Sequence, residues 1–90
     1  MRRHLNIKIH GRVQGVFFRH SAKQKTKELG IKGFARNEPD DTVYIEAEGE
    51  EKNLKQFLDW CHQGSSSASV KKVEFEFKSE LQNFNEFVII

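Results

Sequence analysis

The hydrophobic positions of this chain repeat with two different periods, one close to two and one close to four. Leu5, Ile7 and Ile9 alternate with polar residues up to His10, which predicts a strand with one buried face. Comparable apolar runs predict four further strands, at Ile31–Asn37, Thr42–Glu48, Val70–Phe77 and Phe84–Ile90.

Two other stretches carry apolar residues at helical spacing. The first helix follows Arg19 and ends at Gly30, and the second opens at Glu50 and Glu51 and closes at Gly64. The apolar stripes are Phe18, Ala22, Thr26 and Leu29 in the first helix, and Leu54, Phe57, Leu58 and Cys61 in the second. Both stripes are predicted to face a core, so Cys61 is interpreted as an inert buried thiol.

The predicted order is βαββαβ followed by a short closing strand, within a single domain of residues 1–90. Turn-forming residues at 38–41 indicate that the second and third strands form a hairpin. The economical packing is an α+β two-layer sandwich of the ferredoxin-like type, with two helices on one face of a mostly antiparallel sheet. In that arrangement the third strand lies between the first and second.

The amino-acid composition is typical of a globular domain that has no membrane helix and no internal disulfide. Hydrophobic residues make up 37% of the chain and charged residues 31%, which is typical of a globular domain rather than a disordered one. No apolar run approaches the roughly 20 residues of a membrane helix, and no apolar segment follows Arg2 and Arg3 as in a signal peptide. The single cysteine excludes an internal disulfide, so a cytoplasmic location is predicted.

Charge is distributed unevenly along the chain. Residues 1–36 contain ten Lys or Arg and one acidic residue, whereas residues 37–90 contain five Lys and twelve acidic residues. A basic first half favours attraction to an anionic ligand. The alternative is that the two halves interleave in the fold and neutralise each other.

The segment Gly11–Arg19 joins the first strand to the first helix and contains two glycines four residues apart. Backbone N–H groups at a helix N-terminus, together with the helix dipole, form an anion site, and glycine lets the backbone approach the ligand. Arg19 adds a guanidinium that can hold two phosphate oxygens, and His20 follows it directly. The alternative is an ordinary connection with a surface arginine, since the spacing matches neither the P-loop nor the dinucleotide-binding fingerprint.

Asn37 ends the second predicted strand, where it interrupts the apolar pattern. Its amide offers both a hydrogen-bond donor and an acceptor, which suits the placement of a water molecule. The alternative is that Asn37 only starts the turn before Glu38 and Pro39.

Two sequence blocks carry a family resemblance. Residues 11–19 read G-x-V-Q-G-V-x-F-R, and residues 33–37 read G-aromatic-x-x-N. Together with the order of elements over nearly the whole chain, these blocks closely resemble the acylphosphatase family. The resemblance implies an enzyme that hydrolyses the carboxyl–phosphate anhydride of acyl phosphates. It also implies the site residues: Arg19 and the loop Gln14, Gly15, Val16, Phe17 and Phe18 to bind the phosphoryl group, and Asn37 to orient the attacking water.

The chain departs from the family pattern at a few positions. Phe34 stands where Trp or Tyr is usual, Ala35 where Val is usual, and Asp41 where Gly is frequent. The loop after the second helix has Ser65–Ser67 where the family often has prolines, which predicts greater mobility there. These changes alter packing rather than chemistry. No cofactor is expected, and because no residues have metal-ligand spacing, no metal is expected either.

A rival class is an RNA-binding module of the same architecture. Lys32-Gly33-Phe34-Ala35 resembles the start of the RNP1 motif, but it falls on the second strand instead of the third. The stacking aromatics of such a sheet are therefore not assembled. We expect a small-molecule acyl phosphate as the substrate, no nucleic-acid or membrane partner, and a monomer. An acylphosphatase-like protein with altered or weakened activity remains the further alternative.

Overall fold

The computed structural model describes residues 1–90, the whole of the chain. Its seven elements follow the predicted order. They are β1 (Arg2–Arg12), α1 (Phe18–Leu29), β2 (Lys32–Asn37), β3 (Val43–Glu50), α2 (Glu51–Gln63), β4 (Ser69–Lys78) and β5 (Phe87–Ile89). The first and last strands of the chain, β1 and β5, differ most from their predicted bounds. β1 is longer because it pairs with neighbours on both sides, and β5 is shorter because only three of its residues pair with β2.

The strands form one sheet in the order β4-β1-β3-β2-β5. β3 lies between β1 and β2, as a split βαβ arrangement requires. All neighbouring pairs are antiparallel except β2 and β5, which are parallel. The predicted α+β ferredoxin-like sandwich is therefore confirmed.

The core lies between the two helices and one face of the sheet, and it contains 17 buried hydrophobic residues. Leu5, Ile7 and Ile9 point into it from β1 and are fully buried, as their alternation predicts. Cys61 is also fully buried, and burial raises the pKa of its thiol well above the ordinary value. This supports its interpretation as an inert core residue.

The opposite face of the sheet carries a buried polar pair that the alternation pattern does not predict. His4 occupies a polar position of the alternating pattern, yet it is only 3% exposed and lies 2.6 Å from Glu48, which is fully buried. The other ring nitrogen of His4 lies 2.7 Å from the side-chain oxygen of Asn6. The segment between β4 and β5 covers this pair, since the Gln82 and Asn83 amides both donate to the Glu48 carboxylate.

The hydrogen bonds to Glu48 control its ionisation. Burial raises the pKa of the carboxyl group, but the hydrogen bonds from the Gln82 amide, the His4 ring and the Asn83 and Phe84 amides together outweigh burial. The net result is a pKa below the ordinary value of 4.5. The ionised carboxylate therefore holds the segment between β4 and β5 against the sheet.

This arrangement predicts a pH dependence of stability. Because the folded-state pKa of Glu48 lies below its unfolded value, its stabilising contribution is complete above about pH 4.5 and is lost as the pH falls through the folded-state pKa. Glu48→Gln should lower the free energy of unfolding near neutral pH by about 2 kcal/mol. It should also make that free energy less sensitive to acid. Urea unfolding between about pH 3 and about pH 7 measures both effects.

Glu50→Gln is the matched control for this prediction. Glu50 ends the same strand, but its carboxylate is exposed and pairs only with the N-terminal amine, at 3.0 Å. Exposed pairs of this kind contribute little to stability, so this variant should unfold almost as the wild type does. The account of Glu48 is contradicted if Glu48→Gln keeps the acid sensitivity of the wild type.

Neither helix is long and apolar enough to cross a lipid bilayer.

Candidate active site

The connection between β1 and α1 presents an unusual run of free backbone donors. No backbone N–H group of residues 14–20 donates to an acceptor within the chain, and the first main-chain bond at the start of α1 runs from the Ser21 amide to the Phe17 carbonyl oxygen, at 3.0 Å. The first amides of any helix lack an internal partner, and here the preceding loop extends that run. No acidic side chain lies in the first turn of α1 to occupy them. The loop is therefore equipped to bind an anion.

Two residues of the loop adopt left-handed backbone conformations. Gly15 has φ 73°, which glycine adopts without steric cost, and a Cβ atom placed there would meet nothing within 4 Å. The glycine is thus required for backbone shape and not for space. Phe17 has φ 63° and ψ 22° and occupies the N-cap of α1 without a side-chain cap. Together these conformations turn the chain from the strand into the helix.

The start of α1 is held in place by α2. The ring of Phe18, the first residue of α1, packs 5.3 Å from the ring of Trp60, centroid to centroid. A Cβ atom on Gly64 would lie 2.5 Å from the Phe18 ring, so only glycine allows α2 to end this close. This packing fixes the first turn of α1 and hence the base of the Arg19 side chain.

Arg19 projects from that turn into a surface pocket of about 260 Å³. The residue is half-buried and takes part in none of the ion pairs of the chain. The residues that line the pocket are Val13, Gly15, Phe17, Phe18, Arg19, His20 and Ile89. The guanidinium therefore lies beside the free loop amides with no carboxylate bound to it.

Gln14 fastens the loop to the hairpin between β2 and β3. Its side-chain amide donates to the carbonyl oxygens of Glu38 and Thr42, both at 2.9 Å. Asn37 directly precedes Glu38 and is exposed at the end of β2. The hydrogen bonds from Gln14 thus set the position of the Asn37 backbone relative to the loop.

Sheet register places Asn37 at the same end of the sheet as the loop after β1. Asn37 pairs with Val43 on β3, and Val43 pairs with Ile9 on β1, just before the loop begins. The end of β2 and the loop after β1 therefore occur at one end of the sheet, although β3 separates the two strands. Sequence alone did not require this proximity.

The hairpin beside Asn37 is itself braced by charged side chains. Hydrogen bonds from Thr42 and Lys8 hold the pKa of the Asp40 carboxyl well below its usual range, and the Lys8 amine lies 2.9 Å from that carboxylate. Glu38 is engaged by Arg36 at 2.8 Å. The two carboxylates nearest to Asn37 in the chain are thus paired with cations instead of opposing an anionic ligand.

A further support for the loop was not predicted from the sequence. Ser65, expected to be part of a mobile loop, is buried, and its hydroxyl donates to the Val16 carbonyl oxygen at 2.7 Å. This bond holds the loop from the side of α2, and Gln14 holds it from the side of the hairpin. The acceptor is a backbone carbonyl, so no side-chain pattern in the sequence indicates the contact.

The structure thus brings together most of the predicted site residues. Gly15, Phe17, Phe18 and Arg19 line one pocket, which His20 also borders. Val16 is buried and Gln14 faces the hairpin, so only their backbone amides are available to a ligand. Asn37 does not line the pocket but lies at the same end of the sheet.

The chain is similar to known proteins along most of its length. The sequence model of the acylphosphatase family matches residues 5–89, nearly the whole chain. The chain belongs to the acylphosphatase family. The prediction that it is a hydrolase of this family is confirmed.

The chain is similar to acylphosphatases from several organisms. Acylphosphatase from Archaeoglobus fulgidus is 44% identical over 85 residues, covering 94% of each chain. Acylphosphatase from Marinobacter nauticus is 43% identical over 82 residues, covering 91% of this chain and 89% of the relative. Among solved structures, acylphosphatase from Bacillus subtilis superposes with a TM-score of 0.95 at 30% identity, covering 100% of this chain and 99% of the other.

Proposed function

We propose that the enzyme hydrolyses acyl phosphates to a carboxylate and inorganic phosphate, with the phosphoryl group held by the loop between β1 and α1. The observation that carries this proposal is the run of unoccupied amides at residues 14–20, which lies beside the unpaired guanidinium of Arg19. Free amides and a guanidinium in one loop are donors of the kind that bind the oxygens of a phosphoryl group.

Stabilisation of charge is the main task at this site. An acyl phosphate has a carboxylate leaving group, so its departure needs no strong acid. The enzyme must hold the phosphoryl group and stabilise the charge on its three equatorial oxygens while the attacking and leaving oxygens lie in line. The loop amides and Arg19 supply donors that are already oriented before the reaction begins.

Asn37 is proposed to orient the attacking water. Its amide is too weakly basic to remove a proton, but it offers an acceptor for one hydrogen of water and a donor for its oxygen. The water oxygen forms a bond to phosphorus as the bond from phosphorus to the acyl oxygen breaks. The acyl oxygen leaves as carboxylate, and a phosphoryl oxygen accepts the proton from water.

Gln14 is proposed to position Asn37 through the hairpin. Gln14→Met keeps the length of the side chain but removes both of its hydrogen bonds to the hairpin carbonyls. We expect turnover to fall about tenfold with little change in KM, because the water is misplaced while the phosphoryl site keeps its amides. Steady-state kinetics with acetyl phosphate measure both parameters.

Ser65→Ala is a useful comparison, because it removes the other hydrogen bond that holds the loop. This change should affect KM more than turnover, since it loosens the phosphoryl site rather than the hairpin. A wild-type turnover number for Gln14→Met would show that the hairpin does not position the water.

The proposal as a whole is tested by hydrolysis of acetyl phosphate by the purified protein in the presence of a chelator. No group of three His, Cys or carboxylate side chains of the chain could hold a metal ion, and the proposed steps use none. We expect enzymatic release of phosphate that the chelator does not reduce. Failure to hydrolyse any acyl phosphate near neutral pH would refute the proposal and favour a binding role for the same loop.

A further inference from the structure

The side chain of Phe17 is exposed in a way that the fold does not explain. The residue is 77% exposed, and its φ of 63° places it in the left-handed region. A left-handed conformation costs a residue with a Cβ atom about 1–2 kcal/mol, and an exposed phenyl ring leaves a large apolar surface in water. The left-handed conformation serves the turn into α1, but nothing in the fold uses the exposed ring, so a role of that ring toward a ligand is the physical alternative.

The position of Phe17 identifies the ligand group that it would meet. Its ring lines the Arg19 pocket, and its own amide belongs to the free run that faces the phosphoryl group. Of the four apolar residues in the pocket, Val13 and Phe18 are almost fully buried. The accessible apolar surface therefore comes from Phe17 and from Ile89, which is 36% exposed.

We propose that Phe17, with Ile89 beside the same pocket, binds the acyl group and makes the enzyme prefer aromatic acyl phosphates to small aliphatic ones. This inference rests on the proposed function, because the acyl group is linked through one oxygen to the phosphorus that the loop holds. That short link keeps an acyl group at the rim of the pocket, within reach of a ring carried by a residue of the loop itself.

The chemistry of the pocket disfavours a cationic acyl group and leaves the accessible surfaces of Phe17 and Ile89 to bind an apolar one. Arg19 and His20 are its only ionisable lining residues, and no carboxylate is present to bind a cationic acyl group. An aromatic acyl group can pack against the Phe17 ring in an offset or edge-to-face arrangement, which adds to the gain from apolar burial. The methyl group of an acetyl substrate is too small for that contact.

The test compares kcat/KM for benzoyl phosphate and acetyl phosphate in the wild type, Phe17→Asn and Phe17→Tyr. Asn tolerates the left-handed conformation and keeps the backbone amide, whereas Tyr keeps the aromatic ring. We expect kcat/KM of the wild type to be higher for benzoyl phosphate than for acetyl phosphate. The ratio of the two values should fall about tenfold in Phe17→Asn and stay unchanged in Phe17→Tyr. Because both substrates carry the same phosphoryl group, damage to the loop itself cancels in the ratio.

Phe75→Asn is the matched control. Phe75 is also an exposed phenylalanine, at 52%, but it lies on β4, at the opposite edge of the sheet from β5. This variant should keep the wild-type ratio. The inference is overturned if Phe17→Asn keeps the wild-type preference while acetyl phosphate is still hydrolysed. If the wild type hydrolyses neither substrate, the proposed function fails and the inference fails with it.

Discussion

Arg19→Ala is expected to lower kcat/KM for acyl phosphate hydrolysis by about 10²–10³-fold, through both a higher KM and a lower turnover number. Arg19 is the only Lys or Arg among the residues that line its pocket, and its guanidinium forms no ion pair within the chain. In the proposed mechanism its charge acts on the phosphoryl oxygens both before and during the reaction. Steady-state kinetics with benzoyl phosphate measure the loss.

Two further arginine variants make this prediction specific. Arg19→Lys keeps the charge but loses the planar pair of donors, so it should recover only part of the lost activity. Arg2→Ala removes an exposed arginine at the start of β1, at the opposite end of that strand from the loop, and should leave kcat/KM unchanged. Full activity of Arg19→Ala would exclude the proposed role of the guanidinium.

Asn37→Ala is expected to lower turnover by about 10²-fold while KM changes little. Asn37 lies outside the pocket that holds Arg19, so its loss leaves the phosphoryl contacts in place. In the proposed mechanism, the variant loses the alignment of the attacking water with the bond that breaks. The steady-state rate at saturating benzoyl phosphate gives the turnover number directly.

Asn85→Ala serves as the control for Asn37→Ala. Asn85 is exposed and precedes Phe87, which pairs with Gly33 near the start of β2, away from its Asn37 end. Its removal should leave turnover unchanged. An Asn37→Ala enzyme with a turnover number near that of the wild type would show that another group places the water.

Much of the fold could be predicted because its core follows simple periodicities. Leu5, Ile7 and Ile9 face the helices as their alternation requires, and Leu54, Phe57 and Cys61 form the predicted stripe of α2. These patterns arise because burial of apolar side chains selects one face of each element. They specify which face meets the core, and the split βαβ rule then gives the strand order.

The pattern does not indicate what covers the other face of the sheet. His4 and Glu48 alternate with core residues, as polar positions of a half-exposed sheet do. They become buried only because the distant segment that contains Gln82 and Asn83 folds over them and donates its amides. A contact between residues far apart in sequence, made through backbone groups, leaves no periodic signal.

The candidate site also has a part that could be predicted from the sequence and a part that could not. Arg19, Gly15 and Asn37 were predicted because their residue types and spacing carry the chemistry and the family resemblance. The role of Asn37 in orienting water stays a prediction. The supports from Gln14 and Ser65 were not predicted, because their acceptors are backbone carbonyl oxygens of Glu38, Thr42 and Val16. Every residue has a backbone carbonyl group, so residue types alone do not indicate which carbonyl oxygens the fold brings within hydrogen-bonding distance of Gln14 and Ser65.

The most direct test of the proposed mechanism is hydrolysis of benzoyl phosphate in water enriched in ¹⁸O. In-line attack of an oriented water on phosphorus places one ¹⁸O atom in the inorganic phosphate and none in the benzoate. Mass spectrometry of both products measures the label after a single round of hydrolysis. We expect the label in phosphate alone, and ¹⁸O found in the benzoate would contradict an enzyme that holds the phosphoryl group and directs water to it.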